Sequence, residues 1–256
     1  KGRLMWDIIK SSSERIRTSF IMLGVVLAVG LINSHFVTWA AIGALALIGL
    51  KEMMNLTQIN DDRLYIYTGV IWFFAYFHPH PQDLVFVVFV VFASILAYTQ
   101  NFDKKLFIQM LYPIGPFLFI LALYFDYGMM VLLWLMLVVA ATDVGAYFAG
   151  RRLGKTKFCE TSPNKTMEGV IGGILLGTLI GLVFYFLDFS VITILVVSFT
   201  VSISSVFGDL CESYLKRTAG VKDSGDIFPG HGGVLDRGDG YFFGSIVMYV
   251  LLKAFV

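Results

Sequence analysis

The sequence predicts an all-α fold: a polytopic integral membrane helix bundle of about nine transmembrane segments, with its N-terminus in the cytoplasm. Three observations lead there. Of 256 residues, 57% are hydrophobic and only 14% charged, whereas a soluble domain is roughly half apolar and a quarter charged. The apolar residues fall in unbroken runs such as Val131 to Val139, without the alternation a membrane barrel needs. The charges also sort by side. With the N-terminus inside, every Lys and Arg among the 19 except Lys253 falls in the tail or in alternate loops on that same side, as the positive-inside rule requires. One miscounted segment early in the chain would invert the later loops and destroy this asymmetry.

In chain order, Lys1 to Ser19 is a basic, partly amphipathic tail, and Trp6, Ile8 and Ile9 suit the headgroup region. Apolar segments follow at Phe20–Ile32, Phe36–Leu50, Leu64–Phe77, Leu84–Tyr98, Leu106–Phe125, Met129–Phe148, Val170–Leu187, Val191–Gly208 and Tyr241–Val256. Several are shorter than the ~20 residues of a full span. They must extend into flanking polar residues or re-enter the bilayer. Pro113, Gly115 and Pro116 predict a kink in the fifth segment. His78 and His80 read as solvated residues of an outer turn, and His35 as interfacial. Cys159 and Cys211 fall in inner loops, where a disulfide is not expected. The reading divides the chain into an N-terminal membrane scaffold, residues 1–125, and a catalytic membrane region, residues 126–256. The latter carries two long inner loops, 150–168 and 209–240.

The chemistry concentrates in that second half. Asp143 lies inside a span, where an ionisable group is expensive and marks a functional site. A packing Asp bonded to a neighbouring Ser or Thr is the competing role. In the first long loop, Ser162 or Thr166 would cap the following helix, and such an N-terminus beside Lys165 forms an anion site. Topology alone would also explain the loop's basic residues. Asp209 and Glu212 are three apart and share a face if their helix continues. Asp236 and Asp239 repeat the spacing before the last segment. Such carboxylates suit Mg²⁺, which prefers oxygen ligands and keeps water or substrate phosphates in its shell. Lys216, Arg217, Lys222 and Arg237 suit phosphate oxygens. Gly232 and Gly233 let backbone approach a ligand closely. His231 has no second His or Cys at metal-ligand spacing and reads as a partner for a phosphate or a carbonyl.

These residues carry a resemblance. Ser213-x-Leu215-Lys216-Arg217, Lys222-Asp223-x-Gly225 and Phe228-Pro229-x-His231-Gly232-Gly233-Val234-x-Asp236-Arg237-x-Asp239 resemble the signature of the phosphatidate cytidylyltransferases, or CDP-diacylglycerol synthases. Gly208-Asp209-Leu210-x-Glu212, Ser162-Pro163-x-Lys165-Thr166-x-Glu168-Gly169 and Asp143-x-x-Ala146-Tyr147 are similar to further family motifs. Gly238 stands where the family pattern has an apolar residue, and Met167 where Trp is common. The resemblance implies that CTP and phosphatidic acid give CDP-diacylglycerol and pyrophosphate, with Mg²⁺ and room for a second cation. It implies catalytic roles for Asp209, Asp236, Asp239, Lys222, Asp223 and His231. Lys165, Ser162, Lys216, Arg217, Arg237, Gly232, Gly233 and Asp143 would bind substrate, and Asp209, Asp236, Asp239 and Glu212 would hold metal. It further implies a homodimer in a bacterial inner membrane, with the site facing the cytoplasm and no nucleic acid partner. A CTP-dependent lipid-alcohol kinase is the alternative within enzymes. An ion-coupled transporter is the alternative outside them, though polar groups gathered at one face fit it poorly.

Overall fold

The computed structural model describes the backbone of residues 2–100 and 104–255 and the side chains of residues 14–100 and 106–255. The headgroup expectation for Trp6, Ile8 and Ile9 lies outside the described side chains. Each of the nine apolar segments is helical. The helices are α1 (Gly2–Ile32), α2 (His35–Thr57), α3 (Arg63–Phe77), α4 (Leu84–Thr99), α5 (Lys104–Gln109), α6 (Gly115–Tyr127), α7 (Met129–Leu153), α8 (Met167–Gly181), α9 (Val191–Thr218) and α10 (Leu235–Phe255). Among the described residues there is no strand, only isolated bridges between Lys157 and Thr166 and between Phe228 and Gly232.

By length and composition, 7 helical stretches among the described residues are apolar and long enough to cross a membrane. That falls short of about nine crossings for physical reasons. α3 has only 15 residues, and α10 opens with Asp236, Arg237 and Asp239. The helices also run further than their apolar cores. α2 continues past Leu50 to Thr57 because Lys51-Glu52-Met53-Met54 are good helix formers. The α7 and α9 helices likewise extend to Leu153 and Thr218. The inner loops expected at 150–168 and 209–240 therefore shrink to 154–166 and 219–234. The kink expected in the fifth segment falls at Tyr112 (φ −125°, ψ 107°). Pro113 disfavours helical geometry in the residue before it and has no N–H to continue the ladder.

Two apolar cores hold the bundle. One gathers α2, α3, α4 and the α5–α6 segment around Leu50, Met53, Leu118 and Leu121. The other joins α6, α7, α9 and α10 around Trp134, Val138, Val197 and Leu252. α10 belongs to both, giving Phe242 to the first and Met248 and Leu252 to the second. The α2–α3 pair closes through reciprocal indole bonds: Trp39 Nε1 donates to the Trp72 carbonyl (2.8 Å) and Trp72 Nε1 to that of Trp39 (3.1 Å). Lys253, the one base outside the charge pattern, is neutralised at the opposite end of the bundle. Its ammonium lies 3.0 Å from Asp126, which also accepts a bond from the Tyr249 hydroxyl (2.8 Å).

The closest helix pair is α7 with α8, and small residues explain it. Gly169, Gly173, Gly177 and Gly181 recur every fourth position, a stripe along one face of α8 to its last residue. A Cβ at Gly173 would stand 2.5 Å from the Thr142 carbonyl and 3.0 Å from the Ala146 Cβ. Gly177 faces Ser202 and Thr142, and Gly181 faces Ser198, so the stripe also seats α9. Gly173→Leu is therefore expected to cost about 1–3 kcal/mol by overpacking, read as a lower melting temperature in detergent. Gly24→Leu, at a site with nothing within 4 Å of the added Cβ, should stay within about 0.5 kcal/mol of the parent.

Candidate active site

The polar residues collect at one end of the bundle, where α2, α7, α9, α10 and both loops meet. The loop at 154–166 is tied back onto α8. Glu168 accepts from the Lys155 N–H (3.1 Å), the Thr156 N–H (3.2 Å) and the Thr156 hydroxyl (3.0 Å). Thr166, not Ser162, caps α8, its hydroxyl accepting from the Gly169 N–H (3.2 Å). This fold of the loop delivers Lys165 onto Asp209, with which it forms an ion pair. Asp209 also accepts from Ser213 Oγ (3.2 Å).

α9 continues through Asp209 to Thr218, so Asp209, Glu212 and Lys216 are all helical. Lys216 bridges two carboxylates, 2.9 Å from Glu212 and 2.7 Å from Asp236. The bridge is closed to solvent: the side chains of Lys216, Glu212 and Asp236 are 12%, 0% and 4% exposed. Asp236 is fully subscribed. Its Oδ1 accepts from Lys216, and its Oδ2 from the Ser224 N–H (2.8 Å), the Ser224 hydroxyl (2.9 Å) and the Gly233 N–H (2.8 Å). The sequence reading puts Lys216 on a phosphate and Asp236 on a metal; in the structure the two pair with each other at 2.7 Å.

Gly232 and Gly233 also differ from expectation. Gly232 (φ +86°) and Gly230 (φ +75°) permit the tight turn from Phe228 to Gly232. Its missing Cβ leaves room for the Asp236 carboxylate, and that of Gly233 leaves room for the carboxylate of Glu52. Both glycines thus serve buried acids rather than facing open space. Glu52, on α2, was not anticipated. It is 5% exposed and accepts from the Val234 N–H (2.9 Å), the Leu235 N–H (2.9 Å) and the Ser224 hydroxyl (3.1 Å). Its sequence signal was a lone acid, next to Lys51, at the end of an apolar run.

Asp143, Asp209 and Asp239 lie within electrostatic reach of one another, with Lys165 and Arg237 near Asp143. The approach of α9 to α10 at this point depends on Gly208, whose added Cβ would meet the Asp239 carbonyl oxygen. Asp143 is exposed, on a flank of α7 that also exposes Val144, Tyr147 and Phe148. Lys222 and Asp223 are exposed, and Arg237 reaches back to donate from Nε to the His231 carbonyl (2.9 Å). Arg217 holds the Val221 carbonyl (3.1 Å). The His231 Nε2 lies 3.1 Å from Ser19 Oγ on α1, while its Nδ1 is buried without a protein partner. Tyr112, at the α5–α6 break, brings a hydroxyl that is also buried without a partner, in electrostatic reach of Asp209, Glu212 and Asp239.

For a divalent cation, the donor chemistry fits in part. Among the described residues no three His, Cys, Asp or Glu side chains close on one point. Mg²⁺ does not require that, because it takes one or two carboxylates and completes its shell with water and phosphate oxygens. Asp209 and Asp239 keep oxygens outside the closed bridge, and Glu212 Oε1 is buried without a protein partner, whereas both oxygens of Asp236 are bonded.

The model of the family described as "Cytidylyltransferase family" matches residues 13–255. A phosphatidate cytidylyltransferase of Helicobacter pylori is 42% identical over 237 residues, 90% of this chain and 89% of the relative. One from Staphylococcus aureus is 34% identical over 256 residues, covering 93% of this chain and 98% of its own. One from Bacillus subtilis is 43% identical over 134 residues, about half of each chain.

Gly238 is explained by its neighbour. Phe242 packs edge-on against Tyr112 and Phe117, and a Cβ at Gly238 would stand 2.5 to 3.0 Å from its ring atoms. Placing the bulkier Ile there should therefore destabilise this chain. Gly238→Ile is expected to lower the melting temperature by an amount equivalent to about 1–3 kcal/mol, and Phe242→Leu in the same chain should recover part of the loss.

Proposed function

The chain belongs to the cytidylyltransferase family, and we propose that its polar end transfers the cytidylyl group of CTP to phosphatidic acid, giving CDP-diacylglycerol and pyrophosphate. The observation that carries this reading is where the site opens. Asp143, beside Asp209, Asp239, Lys165 and Arg237, emerges on a flank of α7 that bears exposed Val144, Tyr147 and Phe148. A charged cluster bordering apolar, lipid-facing surface suits a reaction between a water-borne nucleotide and a phosphate fixed to a lipid.

In this reaction an oxygen of the phosphatidate phosphate forms a bond to the α-phosphorus of CTP. The bond from that phosphorus to the bridging oxygen breaks, and its electron pair leaves with pyrophosphate. Negative charge gathers on phosphate oxygens throughout, so catalysis consists of positioning and charge compensation. Lys165, Lys222 and Arg237 would contact the phosphates. Asp209 orients Lys165 through their ion pair. His231 Nδ1 and the Tyr112 hydroxyl, buried without protein partners as Glu212 Oε1 also is, would bond to substrate. Asp209 and Asp239, with Asp143 nearby, would hold Mg²⁺ together with substrate oxygens. Mg²⁺ would supply Lewis-acid neutralisation of the phosphate charge. The positive-inside pattern supports placing the site at the cytoplasmic face of a bacterial inner membrane.

Purified protein in detergent should release pyrophosphate and a CDP-lipid from CTP and phosphatidic acid. Chelator should abolish that release, and added Mg²⁺ should restore it. Release of CDP instead, on a lipid alcohol, would replace this reading with a kinase. Asp209→Asn should remove most turnover. Gly208→Ala, which pushes α9 away from α10, should lower kcat by about a hundredfold. In intact cells of a Cys211→Ser variant, Cys159 should resist an impermeant maleimide until the membrane is opened.

A further inference from the structure

Glu52 belongs to none of the motifs above, yet the signature loop is built on it. Val234 leads into α10 and Leu235 begins it, and their N–H groups are donors that no turn of that helix can satisfy. The Glu52 carboxylate takes both, one on each oxygen, at 2.9 Å. It therefore fills the anion-attracting end of α10 with a protein group, and a substrate phosphate must bind elsewhere. Ser224 links this carboxylate to the next one. Its hydroxyl lies 3.1 Å from Glu52 and 2.9 Å from Asp236, and its N–H donates to Asp236 at 2.8 Å. The space is cut to fit: a Cβ at Gly225 would lie 2.8 to 3.1 Å from the Glu52 side chain, and one at Gly233 would collide with its carboxylate. Ser224 follows directly on Lys222 and Asp223, which are exposed.

We propose that Glu52 is a positioning residue for the transfer. It fixes the arm bearing Lys222 and the first turn of α10 bearing Arg237 and Asp239. The inference rests on the phosphate-binding and metal roles given to those residues above. It acts through them, since all its bonds go to protein donors.

The test is a double-mutant cycle. Glu52→Gln keeps the volume but turns an amide NH₂ towards donors it cannot accept from. Its kcat is expected to fall about a hundredfold, and trypsin should cut at Lys222 faster than in the parent. Lys222→Ala should cost much less in the Glu52→Gln background than in the parent, because the arm is already displaced. Gly225→Ala, which crowds the carboxylate without removing it, should reproduce the Glu52→Gln defect. If Glu52→Gln folds too poorly to assay, Ser224→Ala serves in its place, with a smaller loss of the same kind and the same cycle with Lys222→Ala. Normal kcat in Glu52→Gln, or losses that multiply in the cycle, would overturn the proposal. A parent protein that makes no CDP-lipid would instead overturn the reaction it rests on.

Discussion

Burial of charge at the polar end of the bundle is the constraint on which the rest of the structure depends. Glu52, Ser224, Asp236, Lys216 and Glu212 form a continuous chain of hydrogen bonds and ion pairs. It runs from α2 through the second loop to α10 and α9. Isolated charges in such surroundings are costly, and removing one member of a buried pair typically costs about 3–5 kcal/mol. The chain is tolerable because nearly every donor and acceptor in it has a partner. Three carboxylates meet here with one lysine, and backbone amides supply the remaining compensation. An ion-rich loop is thereby converted into a rigid floor.

That floor works only if the helices beneath it come close. Small residues make the approach possible at the points that matter. The glycine stripe of α8 lets α7 and α9 converge, which places Asp143 beside Asp209. Gly208 lets α9 meet α10, which places Asp209 beside Asp239. α10 closes both apolar cores, with Leu235 of its first turn seated in one and Met248 and Leu252 in the other. The site inherits its rigidity from packing that is apolar and distant from the chemistry.

Much of this was legible in the sequence, and the failures have physical causes. Each apolar run became a helix, and the charge asymmetry correctly grouped the polar residues at one end. The seven-against-nine difference comes from α3, too short to span alone, and α10, polar at its start. The inner loops are shorter than the hydropathy pattern predicts because charged residues do not end a helix: Asp209 to Thr218 prolongs α9. The glycine stripe is legible as a four-residue spacing, Gly169 to Gly181. Glu52 is not legible in this way. Its importance comes from bonds to residues more than 170 positions away, which no local pattern announces. The pairing of Lys216 with Asp236 is hidden for the same reason. Composition shows that both are present but not that they neutralise each other.

The outcome is a division of labour among similar side chains. Lysines and acids bonded inside the network, such as Lys216, Asp236 and Glu52, are compensated by one another and by backbone amides and set the shape of the polar end. Lys165, Lys222, Arg237, Asp209 and Asp239 lie outside that network and are at least partly exposed. A tetra-anionic nucleotide and a lipid phosphate need cations that are held in place but not yet neutralised. The closed network satisfies the backbone and the inner acids itself, while Lys165 on Asp209 and Arg237 on the His231 carbonyl are held by contacts outside it. The Lys165–Asp209 pair is the intermediate case: it is partly exposed and held by no other member of the network, whereas the buried Lys216 bridge cannot open without breaking the floor.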